Sequence, residues 1–268
     1  MKLAANIGFL YAGESIVDRI DHAARDGLDG IECPFPYELS PSALDQRLRA
    51  AGLPLVLINT PQGPQGEPGF AAVHGQQEHF RAGIERALEM AHYTACARVH
   101  VMAGRPWAEG PCEQSVLATL QENLAWAEAQ ARRAGVVLLL EPLNRFDRPG
   151  YAYHQPQQVV QLLENLNLPN LRLQFDTFHA ARENLDVLAC LLACAPWIAH
   201  VQIAEAPHRT APDLNRPETV QTLRALSTLP CVGWLGLEFE SQASASSGME
   251  YLQALRSLLQ PQATGAVA

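Results

Sequence analysis

Four side chains stand where chemistry could gather in this 268-residue chain: Glu141 in VVLLLEP, Asp176 in LRLQFDTFH, Gln202 in AHVQIAE and Glu238 in LGLEFE. Each closes a short apolar run, and each is separated from the next by about one strand-helix repeat. Alternation turns them inward. Glu238 shares its side with Gly236 and Glu240 while Leu237 and Phe239 take the other, and Gln202 sides with His200 against Val201 and Ile203. Three carboxylates and an amide oxygen converging in an apolar barrel repel one another unless a cation joins them. An all-oxygen set selects Mg2+ or Mn2+ over zinc. Four protein ligands leave two octahedral positions for two neighbouring oxygens of one substrate, a chelate that points to a hydroxy-carbonyl compound. Taken singly, each acid is as well explained as a helix N-cap or a loop charge. Equivalent places on four consecutive strands favour the metal, with Gln202 resting on its neighbours.

The elements that must position them alternate regularly. Strand-like apolar runs fall at 3–10, 30–33, 54–59, 98–102, 136–140, 171–175, 198–203 and 235–239. Amphipathic stretches of helical length lie at 15–26, 42–51, 76–93, 113–134, 156–166, 183–194, 217–226 and 249–259, with Ser15 and Ser42 as N-caps and Gly27, Gly52 and Gly135 as stops. Eight such units without a linker predict α/β architecture, a single (β/α)8 TIM barrel forming one catalytic domain over 1–260, followed by a tail at 261–268. No GxGxxG follows any strand, which speaks against a Rossmann sheet. Two connections exceed the usual loop length, 60–75 after the third strand and 142–155 after the fifth, and both leave the end of the barrel where sites are built.

Composition excludes several classes. With 28 acidic against 19 basic side chains and a net charge of -9, no basic face for nucleic acid is expected. Lys2 is the only lysine, so PLP attachment, lysine Schiff bases and a Walker loop are all set aside; no nucleotide or flavin is called for either. The N-terminus reads as a first strand rather than a signal peptide. No run is long enough for a membrane helix. Six cysteines are scattered without CxxC spacing, and Cys190 and Cys194 read as two small buried side chains on one helix face. A reduced, cytoplasmic protein is expected, for which the sequence allows a homo-oligomer.

The segments ECPFPY at 32–37, LEPLNRFDRPGY at 140–151, QFDTFH at 174–179 and HVQIAEAPHR at 200–209 resemble the hydroxypyruvate isomerase family of xylose isomerase-like TIM barrels. The similarity spans most of the chain, and the last two segments are its most specific parts. In that family a Glu, Asp, Gln, Glu set binds a divalent metal and the two glutamates shuttle the proton. The resemblance therefore implies Glu141, Asp176, Gln202 and Glu238 as ligands, with Glu141 and Glu238 as the acid-base pair. It implies an isomerisation of hydroxypyruvate to tartronate semialdehyde through an enediolate, in which a metal on both oxygens stabilises the charge and two carboxylates move the proton between adjacent carbons.

An acidic substrate, a small hydroxy-oxo acid, needs a cationic or hydrogen-bonding partner. His179, three residues beyond Asp176, and His208 and Arg209, just past the Gln202 strand, are the candidates, with Arg105 and Arg145 as alternatives. His100 and the remaining histidines have no comparable placement. After HVQIAEAPHR the family commonly continues with a Gly-Thr-Gly-Glu type of segment, whereas this chain reads TAPDLN at 210–215. A 2-oxo-tetronate would use the same four ligands, so the shape of this loop decides between the two acids. The rivals are a ketose 3-epimerase, which usually has histidine where Gln202 stands; an endonuclease, which would want several zincs and a basic surface; and a non-catalytic sugar-binding barrel, which has no use for an acid and a base.

Overall fold

The computed structural model describes residues 1–109, 113–229, 233–240 and 245–260. The expected tail at 261–268 lies outside them. Eight parallel strands, β1 (Lys2–Asn6), β2 (Gly30–Glu32), β3 (Leu55–Asn59), β4 (Arg98–His100), β5 (Val137–Leu140), β6 (Leu171–Asp176), β7 (Ile198–Ile203) and β8 (Trp234–Leu237), pair in sequence order. The pairing of β8 with β1 closes the barrel. The helices α1 (Ile16–Arg25), α2 (Pro41–Ala51), α3 (Gln77–Thr94), α4 (Glu113–Ala134), α5 (Pro156–Leu166), α6 (Thr177–Arg182), α7 (Val187–Cys194), α8 (Pro217–Thr228) and α9 (Ala245–Leu258) occupy the intervals between strands and follow β8. This is the expected (β/α)8 barrel.

Period-two alternation sorts each strand into two functions. In β6, Leu171, Leu173 and Phe175 belong to the buried hydrophobic cluster. Gln174 and Asp176 take the other face and are equally buried. In β7, Val201 and Ile203 are in that cluster, while His200 and Gln202 on the other face are buried polar groups. The barrel interior is therefore polar rather than apolar as expected. Register holds its members level, with Asp176 beside Gln202, Gln202 beside Gly236 and Asn6 beside Glu32.

Local capping chemistry accounts for the differences in boundaries. The first strand ends at Asn6, not at residue 10, because the Asn6 side-chain oxygen takes the Gly8 N–H and its carbonyl takes the N–H groups of Phe9 and Leu10, folding the chain into turns. Ser15 caps α1 as expected. The cap of α2 is Ser40 rather than Ser42, since Pro41 occupies the first helical turn and the Ser40 hydroxyl accepts from the Ala43 N–H at 3.2 Å. The helix expected over 183–194 begins only at Val187, capped by Asp186. Ahead of it runs α6, unforeseen because its cap, Asp176, is also the last residue of a strand. Gly52 and Gly135 stop their helices in left-handed conformations that glycine adopts without strain.

Both long connections are anchored over the carboxyl ends of the strands. In the first, Gly69 lies against the Met102 backbone, with room for no side chain, and Thr60 Oγ1 accepts the Met102 N–H. In the second, fully buried Tyr151 accepts the Ala103 N–H through its hydroxyl at 2.8 Å. Cys33, Cys96, Cys190 and Cys194 are buried free thiols; Cys112 and Cys231 lie outside the described residues. No helix among the described residues is long and apolar enough to cross a membrane.

Candidate active site

The three acids expected to converge do so. Glu141 directly follows β5, Asp176 ends β6 and Glu238 directly follows β8, and all three are buried. Glu141 and Glu238 line one cavity, and Asp176 lies beside it against His179 and Arg209 of its wall. The cavity is about 440 Å3 and is roofed by loops carrying Phe9, Phe35, Arg105, Arg148 and His208. Asp176 divides its carboxylate between two tasks. One oxygen caps α6 by accepting the Phe178 N–H at 2.8 Å, and the other accepts from the Arg209 guanidinium at 2.9 Å. The N-cap explanation of this residue therefore holds, and its second oxygen remains directed into the site.

Arg209 reaches the floor from the loop after β7. Its Nε donates to the Glu238 carbonyl at 3.1 Å and its terminal nitrogen to both the Asp176 and the Glu238 carboxylates. The guanidinium is sandwiched between the Phe9 and Phe178 rings at 4.4 and 4.5 Å. The sequence-based placement of Arg209 in the site is met, but its charge is spent on two acids rather than left facing the cavity. His208 sits exposed on the rim. Arg145 turns away to pair with Glu183 at 2.8 Å, whereas Arg105 lines the cavity.

His179 is buried against both acids, its Nε2 3.7 Å from Glu141 Oε1 and 3.7 Å from Asp176 Oδ2. Its Nδ1 accepts the Asn144 backbone N–H at 3.1 Å, a group that can only donate. Burial, reinforced by Arg209, drives its pKa well below the usual value and keeps the ring neutral. The single ring proton therefore sits on Nε2, facing the cavity.

Several contributors went unforeseen. His100, at the end of β4, lies 3.2 Å from Glu141 Oε2 and is held neutral by burial, its pKa pushed down to about 3. Strand position, the criterion that found the acids, points to it equally. Gln174 donates from one amide nitrogen to Glu141 Oε2 at 2.8 Å and to Gln202 Oε1 at 2.6 Å. Glu32 accepts from Gln202, Asn6 and His200. Gln202 thus lies beneath the acids, linked to Glu141 through Gln174.

The electrostatics favour a cation. Burial raises Asp176 to about 6 despite Arg209, and Glu238 to about 8. Glu141 rises well above the carboxylate range through burial and the neighbouring Glu238 and Asp176. Glu141 Oε1 is buried with no hydrogen-bond partner, and Arg209 is drawn in between two of the acids. Ligand-type atoms of Glu141, Asp176 and His179 lie within 4.8 Å of one another, a spacing compatible with one divalent ion.

Comparison with known proteins follows the same lines. The family model for the xylose isomerase-like TIM barrel matches residues 20–258. The 2-oxo-tetronate isomerase of Cupriavidus necator is 36% identical over 254 residues, covering 94% of this chain and 97% of that protein. The hydroxypyruvate isomerase of Escherichia coli K12 is 29% identical over 258 residues, covering 96% and 100%. A crystal structure described as AP endonuclease, family 2 from Brucella melitensis is 30% identical, with a TM-score of 0.86 over 94% of this chain and 98% of that one.

Proposed function

The chain belongs to the xylose isomerase-like TIM barrel family, and from that premise we propose that it isomerises a small 2-oxo-3-hydroxy acid, interconverting hydroxypyruvate and tartronate semialdehyde. The observation that carries this is the meeting of three buried acids, with Glu141 and Glu238 lining one cavity and Asp176 joined to them through Arg209 and His179. Glu141, Asp176, Gln202 and Glu238 would hold the divalent ion, Mg2+ or Mn2+ by their oxygen chemistry, and that ion when bound supplies Lewis-acid polarisation of the substrate carbonyl. His179 is a donor rather than a ligand, because its Nε2 carries the ring proton.

The chain's own groups then account for the proton movement. One glutamate removes a proton from the hydroxymethyl carbon, leaving an enediolate with its charge on the former carbonyl oxygen. The neighbouring hydroxyl passes its proton to that oxygen, and as the other glutamate delivers a proton to the adjacent carbon the deprotonated oxygen becomes the aldehyde. Burial raises Glu238 to about 8 in the metal-free site; beside a bound cation it is held ionised, ready to accept a proton. His179 Nε2–H is aimed where a substrate oxygen would sit between Glu141 and Asp176. Phe9, Phe178 and the two long loops keep bulk water away from the exchanging proton. His208 on the rim and Arg105 in the cavity wall complete the contacts to the substrate carboxylate, while Arg209 holds Asp176 and Glu238 in place.

A second acid is favoured by one dimension of the site. A cavity of about 440 Å3 leaves room for a chain longer than three carbons, which suits a 2-oxo-tetronate, the substrate named for the relative from C. necator. An amide at 202 argues against a ketose 3-epimerase. Against an endonuclease stand the net charge of -9 and the lone His/Asp/Glu group of metal-ligand spacing among the described residues. The test is an NMR panel of hydroxypyruvate, 2-oxo-tetronate and free ketoses in D2O with Mg2+ or Mn2+. Turnover of an acid with solvent deuterium in the product is expected; turnover of neither acid sinks the proposal.

A further inference from the structure

A glutamine can serve as an oxygen ligand only if its amide is turned the right way. The two ends of the amide are nearly the same shape, so packing alone does not aim the oxygen. Beneath Gln202 lies Glu32, completely buried at the end of β2. Its Oε2 accepts the Gln202 Nε2 at 2.7 Å and the Asn6 Nδ2 at 3.2 Å. Its Oε1 accepts the His200 Nε2 at 2.6 Å. Three donor groups converge on its two oxygens, which are thereby occupied as acceptors. The nitrogen end of Gln202 must therefore face Glu32, leaving the oxygen on the far side.

Gln174 continues the arrangement. Its Nε2 donates to the Gln202 Oε1 at 2.6 Å and to the Glu141 Oε2 at 2.8 Å, so one NH2 group uses its two protons to hold two oxygens from neighbouring strands together. Each of those oxygens keeps a second lone pair. Gly236 makes the arrangement possible: a Cβ there would lie 2.0 Å from Glu32 Oε1 and 2.8 Å from Gln202 Cγ. The glycine of LGLE, on β8 in register with Gln202, is the space into which the Glu32 carboxylate fits.

We infer that Glu32 is the positioning residue for Gln202, fixing its amide with the oxygen presented to the cation and the nitrogen held below. This rests on the assignment of Gln202 as a metal ligand made above. Outer hydrogen bonds of this kind govern ligand orientation, and their loss typically weakens metal binding about 10–100-fold. Glu32→Gln places an amide where a pure acceptor stood, so the pairing no longer dictates which end of Gln202 points upward.

The experiment is calorimetric or EPR titration of Mn2+ into chelator-stripped protein, for wild type, Glu32→Gln, Gln202→Leu and the double variant. Glu32→Gln is expected to raise the Mn2+ Kd about 10–100-fold and to have no further effect once Gln202 is leucine. Glu32→Asp, which keeps an acceptor, should recover part of the affinity. An unchanged Kd in Glu32→Gln, or the same loss in both backgrounds, overturns the inference while leaving the isomerase proposal standing. Wild-type protein that binds no Mn2+ removes the metal assignment and the inference together. Should Glu32→Gln fail to fold, NMR of Mg2+-loaded wild type decides, with the Gln202 side-chain NH2 identified by its loss in Gln202→Leu. A slowly exchanging NH2 is expected, and a freely exchanging one overturns the assignment.

Discussion

Stripping the metal exposes the electrostatic strain of the site, and pH measures it. Glu238 titrates at about 8 in the folded protein because burial disfavours its charge, against an ordinary value of 4.5. Its folded value lies above the unfolded one, so the stability it lends is intact below about pH 4.5 and is lost as pH rises through 8. Between pH 6.5 and 8 the folded carboxyl still holds its proton while the unfolded one does not, which gives a slope of ~1.4 kcal/mol per pH unit, or ~2 kcal/mol across that window. Asp176, at about 6, loses its share at lower pH. There His100 and His179, held neutral by burial, pull the opposite way; in the higher window Glu141, raised by the same burial, adds to the slope of Glu238, while Cys190, lowered to about 7 by its hydrogen bond with Cys194, opposes it. Asp29 and Glu183, kept low against the cost of burial by Arg256 and Arg145, are ionised throughout and add no slope. The assay is urea unfolding of chelator-treated protein at pH 6.5, 7.25 and 8, with and without Mn2+. Metal-free protein should lose stability steadily across the series. Mn2+ must displace the Glu238 proton, so its affinity should rise up to about tenfold per pH unit and level off above 8. Metal-free protein as stable at pH 8 as at 6.5, together with Mn2+ binding that releases no proton at pH 7, would refute the electrostatic account.

Other perturbations test separate parts of the site. Glu238→Gln should lower kcat about 10²–10⁴-fold with an unchanged far-ultraviolet circular dichroism spectrum; full activity would show that another group carries the proton. Gly236→Ala should destabilise the protein by about 1–3 kcal/mol, because the added Cβ meets the Glu32 carboxylate and the Gln202 side chain, and a thermal melt identical to wild type would contradict that packing. Arg209→Met removes the cation that lowers both Asp176 and Glu238, so the acidic limb of the kcat/KM profile should move to higher pH. An unmoved limb would mean that Arg209 does not set the proton affinity of the pair.

Much of this was legible in the chain because the barrel repeats one local rule. Glu141, Asp176 and Glu238 were found by strand position alone, and that position follows from apolar runs any reader can mark. The same rule pointed to Glu32 and His100, each closing its strand, but a lone Glu or His gives no sign of which charged group lies across the barrel. Glu32 meets His200 from a distance of 168 residues in sequence, at 2.6 Å in space. Such pairing depends on barrel closure and register, which no local pattern encodes. The direction of Arg209 was hidden for a related reason. Its backbone takes a left-handed conformation, φ +53, and its side chain folds inward to two acids and two aromatic rings, a tertiary outcome that gives the charge expected for an acidic substrate to two acids of the site instead. Boundaries failed where a side chain caps its own backbone, as Asn6 and Ser40 do.

The polar interior bears on how this fold tolerates its own chemistry. Burying Glu32, Glu141, Asp176 and Glu238 in one barrel costs folding energy that a hydrophobic filling would not. Alternation confines that cost to one face of each strand. On β6 the residues Leu171, Leu173 and Phe175 are at most 2% exposed and pack into the hydrophobic cluster, while Gln174 and Asp176 point to the axis and pack against polar partners. Burying one such apolar side chain contributes ~1.5–3 kcal/mol, so the three on β6 offset its one strained acid. The two faces can then vary separately: on the proposed function, inward substitutions are expected to change metal affinity and proton transfer, and outward ones stability. Gly236 is where the separation fails. Its lack of a side chain serves the inward network, yet Gly236 is part of the strand that closes the barrel against β1, so a change there must register in both stability and metal binding at once.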